Sequence, residues 1–195
     1  NIPIEDARNY NVTNDTFFAY FDENGNLRDV VPFDELIFKG EFSDLTDYVI
    51  INMPITITGE EASLSNMGFS ILSDDVVLDN MTLVADTSLG DLIGVYDYED
   101  VVISNMDITY KVNNESSVAI KVYGSSNVGI YNNIIYFESH VPTDDIEAMA
   151  IAVEDASSVE IDNNDITANL TAVRSNWGIY SKYGTMGIDQ GHAVR

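Results

Sequence analysis

The sequence predicts an all-β fold, a parallel β-helix (solenoid) with an N-terminal capping α-helix. The first observation is a pattern, Val-x-(Ile/Leu)-x-Asn-x-x-(Ile/Leu), whose copies start 25, 27 and 31 residues apart, at Val76, Val101, Val128 and Val159. The second is an aliphatic pair that lies eight and six residues before the last three of these valines: Ile93 and Val95, Ile120 and Val122, Ile151 and Val153. Self-similarity at a period of about 20–50 residues is typical of solenoids.

Residues 1–47 are predicted to form an N-terminal cap made of a short helix and a strand. Residues 13–16 supply common helix N-caps, and the aromatic run 17–21 supplies one apolar helix face. A solenoid needs such a cap because a bare first coil would expose apolar core and unpaired strand edges. Residues 22–26 are interpreted as a turn, since their glycine and acidic positions do not fit a calcium-binding EF-hand loop. Residues 35–42 alternate in part and are predicted to be a strand beside the cap.

Residues 48–195 are predicted to form the coils of the β-helix, each with three short strands separated by turns. A coil begins at residue 159, after complete coils over residues 55–75, 76–100, 101–127 and 128–158. Residues two apart share one side of a strand, so the aligned aliphatic residues point inward together. Stacked coils then place valine on valine and isoleucine on isoleucine, and stiff β-branched side chains suit this packing.

One column of asparagines is predicted to serve the fold as a structural ladder. Its members follow the first strand of each coil: Asn80, Asn105, Asn132 and Asn163. Asparagine tolerates the left-handed backbone that a sharp bend needs, and stacked amides can hydrogen-bond from coil to coil. The Asn80 side chain is expected inside, which makes its glycosylation sequon a poor candidate. The remaining sequons are candidate N-glycosylation sites, at Asn11, Asn14, Asn114 and Asn169.

The connections between the second and third strands vary most in length, and they are predicted to form a binding face. They cover about 86–92, 111–119, 138–150 and 169–178. Aromatic rings suit sugar rings, and nearby polar groups can hydrogen-bond sugar hydroxyls. The candidate ligand-binding residues are two tyrosines expected to face outward, Tyr131 and Tyr136, and four residues of the third and fourth connections, His140, Asp144, Asp145 and Trp177. In contrast, the aromatic residues expected to be structural are Tyr96, Tyr110, Tyr123 and Phe137.

Composition narrows the classes of function. The 33 acidic and 8 basic residues give a formal net charge of −25, which disfavours binding to nucleic acid and to anionic lipid. There are no cysteines, so a disulfide framework and a thiolate metal site are both excluded. The longest apolar runs are too short to span a bilayer. No cofactor and no metal site is predicted, and whether the acidic surface holds Ca²⁺ is left open.

The residues give little support to catalysis, and no catalytic residue is predicted. A polysaccharide lyase needs clustered carboxylates for Ca²⁺ and a basic residue that takes a proton. Asp97 and Asp155 align with Gly124 in the coil between them, which breaks such a cluster. Lys121 has no aligned carboxylate in either neighbouring coil. A hydrolase needs two carboxylates at a defined separation, and no converging set of residues supplies them.

The cap and the first coil resemble a known group of proteins. The segments that carry the resemblance are NVTNDTFF at 11–18, FDENGNL at 21–27, FKGEFSDL at 38–45 and PITITG at 54–59. They are similar to the N-terminal region of adhesin-like surface proteins of methanogenic archaea, and the repeat resembles the pectin-lyase-like right-handed parallel β-helix. The resemblance implies an extracellular protein of the cell surface or cell wall. Its β-helix would be displayed for attachment to glycans or proteins of other cells.

Three functions therefore remain open from the sequence. The first is the adhesin-like attachment protein, the second is a polysaccharide lyase or glycoside hydrolase, and the third is a stiff stalk or spacer without a ligand. β-Helices serve several unrelated functions, so the fold does not choose among them. Because no C-terminal capping helix is predicted, the coils are expected to continue in a longer native chain or to have their open end covered by another subunit.

Overall fold

A computed structural model describes residues 7–113, 115–140, 147–171, 175–182 and 186–189. This part of the chain is an all-β parallel solenoid of about 6 turns with one short N-terminal helix, as the repeats predict. Helix α1 (Phe17–Tyr20) follows a 3-10 turn at Asn14–Thr16. The strands are β1 (Asn9–Val12), β2 (Glu35–Ser43), β3 (Tyr48–Ile51), β4 (Ile55–Ser65), β5 (Gly68–Ile71), β6 (Val76–Ala85), β7 (Asp91–Tyr96), β8 (Glu99–Ser104), β9 (Asp107–Asn113), β10 (Ser117–Tyr123), β11 (Ser126–Tyr131), β12 (Ile134–His140), β13 (Glu147–Glu154), β14 (Ser157–Asp162), β15 (Asp165–Thr171), β16 (Ser175–Lys182) and β17 (Met186–Asp189).

Two parallel sheets wrap around one core. The larger sheet runs in the order β1-β2-β4-β6-β8-β11-β14-β17, and a branch from β6 continues through β9, β12 and β15. The branch exists because β6 is long enough to pair with both β8 and β9, so one strand covers two faces of its coil. The smaller sheet runs in the order β3-β5-β7-β10-β13-β16 and closes the third face.

The strand register confirms the predicted columns of aliphatic residues. Each starting valine pairs with the next one along the solenoid, and each isoleucine of the smaller sheet does the same. These side chains are at most 3% exposed. An earlier coil, made of β2 and β3, precedes the first coil that the repeats predict, and Leu36 pairs with Ile57 in it. The left-handed residue at the bend of this coil is Gly40, and that of the next coil is Glu61, so neither carries the asparagine of the later bends.

The cap lays aromatic side chains on this earliest coil. Phe17 stacks on Phe21 with ring centroids 4.6 Å apart and meets Phe38 and Phe42 of β2 edge-on at 6.5 and 6.3 Å. All four rings are at most 1% exposed, whereas the neighbouring Phe18 is 47% exposed. Burying rings of this size supplies much of the apolar surface that a solenoid end must cover.

The cap also pairs with the first edge of each sheet. β1 extends the larger sheet by pairing with β2, and Asn26 forms an isolated bridge with Ile50 of the smaller sheet. Edge strands with unpaired backbone groups invite aggregation, and these pairings cover the first four residues of β2 and one position of β3. The larger sheet thus contains strands from both sides of the predicted division between the cap and the coils at residues 47 and 48. That division remains a prediction. Within the described ranges, no helix has the length and apolar character needed to cross a membrane.

The asparagine column lies at the bends, with its side chains on the surface. All four residues have φ between 53° and 57°, the left-handed region that asparagine tolerates. Each described amide bond reaches back one coil: Asn80 Nδ2 donates to the carbonyl of Gly59 at 2.7 Å, and Asn163 Nδ2 donates to Asn132 Oδ1 at 2.5 Å. The Asn80 side chain is exposed rather than inside. The expectation of an inward amide was wrong because the bend sits at the outer corner of the coil.

The buried amides belong to the next residue along the chain. Asn133 is 1% exposed and Asn164 is 4% exposed, in the position that Met106 occupies one coil earlier. Asn133 Oδ1 accepts a hydrogen bond from the backbone N–H of Met106 at 2.9 Å, and Asn164 Oδ1 accepts one from the N–H of Asn133 at 2.9 Å. Asn133 Nδ2 also donates to Asn164 Oδ1 at 2.9 Å. This pair ties three successive coils together inside the solenoid.

Candidate functional site

An outward sheet face around Tyr136 is the candidate site, and of the predicted ligand-binding residues its central strand carries Tyr136 and His140. We call the outward side chains of β9, β12 and β15 the Tyr136 face. Along β12 the side chains alternate between buried and more exposed positions, as expected for a strand with one side on the core. The register places Tyr136 between Thr109 and Thr167, and it places Glu138 between Lys111 and Asn169.

Polar neighbours hold the Tyr136 ring in place. Its hydroxyl donates a hydrogen bond to Glu138 Oε2 at 2.5 Å. Lys111 Nζ lies 5.5 Å from the centre of the ring, within the range of a cation–π contact. The Asn169 amide interacts with both Tyr136 and Glu138. An aromatic ring is therefore surrounded by an ammonium, a carboxylate, an amide and hydroxyl groups on a rigid sheet.

The electrostatics of the face keep Glu138 ionised. The hydrogen bond from the Tyr136 hydroxyl and the nearby Lys111 charge lower the pKa of Glu138 below its usual value. The same hydrogen bond raises the pKa of Tyr136, so its hydroxyl stays protonated and continues to donate. A general acid must carry a proton near neutral pH. Glu138 is thus suited to accept hydrogen bonds from a ligand rather than to donate a proton.

Tyr131 lies on a different ladder from Tyr136. It belongs to β11, on the other side of the bend at Asn132, and its hydroxyl donates to Glu160 Oε2 at 2.7 Å. Its ring lies over Gly129, where a Cβ atom would come within 2.2 Å of the ring. The hydrogen bond to Glu160, aided by desolvation, raises the pKa of Tyr131 to about 12. The structure therefore does not bring the two tyrosines into one site.

The structure describes only some of the other predicted ligand-binding residues. His140 is exposed at the end of β12, in register with Asn113 and Thr171. Asp144 and Asp145 lie outside the described residues. Trp177 belongs to β16 and pairs with Met149, which places its backbone in the smaller sheet, and its side chain lies outside the description.

The predicted sequons differ in accessibility. Asn11, Asn14 and Asn169 are exposed, and Asn114 lies outside the described residues. Asn169 is also a neighbour of Tyr136, so a glycan on it would cover the Tyr136 face. Modification at these positions remains a prediction.

Lys121 has a partner that the alignment of coils did not reveal. Its Nζ lies 2.5 Å from Glu154 Oε1, and the two side chains are only 17% and 20% exposed. Glu154 aligns with Tyr123, two positions beyond Lys121, so the contact is diagonal between neighbouring strands. The register confirms that no carboxylate is aligned with Lys121, whose partners in the neighbouring strands are Gly94 and Ala152. The ion pair forms instead with a residue two positions further along the neighbouring strand. A small separate cluster lies beside the pair, made of Val118, Met149, Ala152 and Tyr180.

A groove near the cap was not predicted from the sequence. This N-terminal groove has a volume of about 810 Å³ and lies between the cap turn 23–24, the connection 44–48, Asn66 and the connection 87–89. None of its lining residues belongs to the repeated pattern. The only hint was the variable connection at about 86–92, which supplies one wall.

Hydrogen bonds hold the walls of the groove. Tyr110 Oη donates to the carbonyl of Gly90 and accepts from the N–H of Leu89, both at 3.0 Å. Tyr48 Oη lies 3.0 Å from the carbonyl of Asp91, and burial raises the pKa of Tyr48 to about 12, so this hydroxyl keeps its proton. On the opposite wall, Asp22 Oδ1 accepts the N–H groups of Asn24 and Asn26 at 2.9 and 2.8 Å. These bonds agree with the interpretation of residues 22–26 as a turn.

The part of the chain that the structure describes gives no support for a metal site. Among the described residues, no group of three or more histidine, aspartate or glutamate side chains is arranged to hold a metal ion. Binding of Ca²⁺ by the acidic surface remains open.

Comparisons with known proteins agree with the architecture. The model of the family described as "Right handed beta helix region" matches residues 57–188. One similar solved structure is a protein of Parabacteroides merdae ATCC 43184 that has been proposed to be a glycosyl hydrolase. It matches with a TM-score of 0.50 and 12% sequence identity, over 91% of this chain and 96% of that one. At this identity the likeness shows the fold alone. The search of curated proteins found no significant match.

Proposed function

The chain belongs to the right-handed β-helix family, and on that premise we propose that it is an adhesin-like attachment protein that binds cell-surface glycans without modifying them. The single observation that carries this proposal is the Tyr136 face. An aromatic ring lies there on a rigid parallel sheet, with Lys111, Glu138 and Asn169 around it. Aromatic surface together with fixed hydrogen-bonding groups is the chemistry that sugar rings require.

The rigidity of the face favours binding. Tyr136 is fixed by its bond to Glu138 and by its neighbours in the flanking strands. A ligand that meets a preorganised surface loses less free energy to the ordering of side chains.

The electrostatics of the face favour binding over hydrolysis. Retaining and inverting glycosidases need one carboxyl group with a raised pKa as the acid and a second carboxylate at a set distance. Glu138 has a lowered pKa. Its register neighbours on either side are Lys111 and Asn169, neither of which is a carboxylate.

We place the protein at the cell surface or in the cell wall, with glycans or proteins of other cells as partners. The resemblance of the cap to adhesin-like surface proteins supports this location. The net charge of −25 supports partners other than nucleic acid and anionic membranes.

The test is a glycan-array and whole-cell binding experiment with the fluorescently labelled chain. We expect binding to at least one class of glycan, and we expect Tyr136→Ala to reduce it about tenfold or more, as for loss of a central aromatic contact. Trp177→Ala tests the fourth variable connection in parallel.

The matched control is Tyr123→Ala. Tyr123 is 40% exposed and lies on the smaller sheet, so its loss removes an exposed ring without touching the Tyr136 face. If Tyr136→Ala binds as well as wild type, or if the wild type binds no glycan and no cell, the proposal is wrong. The second result would favour a stalk or spacer.

A glycoside hydrolase is the alternative function. The relative of the same fold that has been proposed to be a glycosyl hydrolase and the acid-lined N-terminal groove favour it. Incubation with neutral and acidic polysaccharides, with and without Ca²⁺, followed by measurement of new reducing ends and unsaturated products, separates the two functions. Product formation by the wild type would contradict the proposal that the protein binds glycans without modifying them.

A further inference from the structure

The N-terminal groove is separate from the Tyr136 face. Its walls come from the cap and the early coils, and it shares no residue with β9, β12 or β15. Its volume of about 810 Å³ falls within the range of about 300–1,000 Å³ that is typical of small-ligand sites. The two surfaces can therefore be tested independently.

The groove offers apolar surface and hydrogen-bonding groups together. Leu45 and Leu89 are partly buried against the core and expose the rest of their side chains to the groove. Asn24, Asn66 and Thr87 bring amide and hydroxyl groups to the same space. A ligand that fits this lining needs an apolar face and several hydrogen-bonding groups, which describes a sugar ring.

The groove is also largely preformed. Asn66 Oδ1 accepts hydrogen bonds from the N–H of Asp86 at 3.1 Å and from Thr87 Oγ1 at 3.2 Å. Ile50 N–H donates to the carbonyl of Gly25 at 2.8 Å, which holds the cap turn against the smaller sheet. A Cβ atom on Gly25, whose φ is 81°, would lie 1.9 Å from the carbonyl oxygen of Tyr48, so this close approach requires glycine. Walls fixed in this way lower the entropic cost of binding.

Charge selects among the saccharides that would fit. The charged side chains of the groove are all acidic: Glu23, Asp44 and Asp47. Among the residues that the structure describes, no lysine, arginine or histidine lines it, so a uronate or sulfated sugar would meet repulsion from these carboxylates. Asp44 is already bonded to Ser43 Oγ at 2.7 Å, whereas Glu23 and Asp47 are exposed at the rim. Carboxylates there can accept hydrogen bonds from sugar hydroxyl or amino groups.

We propose that the N-terminal groove binds an oligosaccharide that carries no negative charge. The apolar face of a sugar ring packs on Leu45 and Leu89, and its hydroxyl or amino groups donate hydrogen bonds to Glu23 and Asp47. The site does not depend on the function proposed for the Tyr136 face.

Isothermal titration calorimetry tests the proposal with cellohexaose, N-acetylchitohexaose and a chitosan hexamer as probes, and with oligogalacturonate as the anionic comparison. We expect one or more of the three uncharged or amino-bearing probes to bind. The double variant Glu23→Ala/Asp47→Ala should weaken that binding about tenfold or more, which corresponds to the loss of charge-assisted hydrogen bonds. Both residues are exposed, so the unfolding midpoint should remain near that of the wild type.

Glu41→Ala is the matched control, because Glu41 is exposed and lies outside the groove. It changes the net charge by one without changing the lining. Tyr136→Ala should also leave this binding intact, which separates the groove from the Tyr136 face. The proposal is overturned if none of the three probes binds, if oligogalacturonate binds as tightly, or if Glu41→Ala weakens binding as much as the double variant.

Discussion

Asn133 and Asn164 show how single side chains hold neighbouring coils together. Each amide lies inside the solenoid, and each accepts a hydrogen bond from a backbone N–H group of the preceding coil. Each also donates to a carbonyl of that coil, Asn133 to Ile103 and Asn164 to Ile130. A buried polar group is tolerated when its hydrogen bonds are complete. These two amides therefore stabilise the stack rather than weaken the core.

Asn133→Ala should lower the free energy of unfolding by about 1–3 kcal/mol, because it leaves the buried N–H of Met106 without its acceptor. Urea denaturation followed by circular dichroism measures the change. Asn169→Ala is the control, since Asn169 is exposed, and its effect should stay within about 0.5 kcal/mol. Equal effects of the two substitutions would contradict a structural role for the buried amide.

Tyr131 should make stability depend on alkaline pH. The hydrogen bond to Glu160 raises its folded-state pKa to about 12, above the value of about 10 expected in the unfolded chain. The folded state thus holds this proton more tightly. The resulting stabilisation is fully present below about pH 10 and is lost as the pH rises through about 12.

Ultraviolet titration of tyrosinate formation measures this shift as the difference between the wild type and Tyr131→Phe. We expect the missing transition to be centred near pH 12. Glu160→Gln should move the transition to lower pH, because it removes the carboxylate that holds the phenolic proton. If the difference between the wild-type and Tyr131→Phe titrations is centred at the ordinary tyrosine pKa, the pKa of Tyr131 is not raised and the prediction is wrong.

Among the elements, helix α1 depends on packing rather than on its own length. It has four residues, far fewer than an isolated helix needs to persist in water. The 3-10 turn that precedes it is capped by Thr16 Oγ1, which accepts the N–H of Thr13 at 2.9 Å. The aromatic contacts of Phe17 and Phe21 with β2 then hold the helix on the first coil.

Phe17→Ala should destabilise the protein by about 3–5 kcal/mol, the usual cost of removing a buried phenylalanine. Phe18→Ala is the neighbouring control, because its ring is 47% exposed, and we expect a loss of at most about 1.5 kcal/mol from its edge contact with Phe17. Chemical denaturation compares the two variants. Similar losses of stability in the two variants would mean that the cap does not depend on the buried ring of Phe17.

For the whole molecule, the dominant long-range interaction is electrostatic repulsion between like charges. The formal net charge is −25 over 195 residues, and self-repulsion of this size opposes the compact state. The ion pairs described in the chain are few, and Lys39 with Glu60 and Lys121 with Glu154 are two of them. They offset only a small part of the repulsion, because 8 basic residues stand against 33 acidic ones and the more exposed pair of Lys39 and Glu60 contributes little.

Added salt should therefore stabilise the protein. We expect the thermal midpoint at neutral pH to rise as sodium chloride increases from about 0.01 to 0.5 M, since the Debye length falls from about 30 to about 4 Å. Sucrose at matched osmolality is the control for effects that do not involve charge. A falling midpoint would mean that attractive ion pairs outweigh the net repulsion.

Much of the architecture follows from patterns along the chain. The valine and isoleucine columns, the left-handed bends at Asn80, Asn105, Asn132 and Asn163, and the aromatic cap helix were predicted from spacing and residue type. Such features are local, because strand alternation and bend conformation depend on residues a few positions apart. Repetition then extends a local pattern to the whole stack.

The candidate sites depend on contacts that no local pattern contains. Tyr48 reaches a backbone carbonyl 43 residues away, and Lys121 meets Glu154 at a separation of 33. The coils differ in length, so sequence spacing does not tell which of these residues come into contact. That depends on how each coil packs on the next. The repeats therefore specify which side chains enter the core. The packing of one coil on the next decides which polar groups meet, which asparagines are buried and where the N-terminal groove opens.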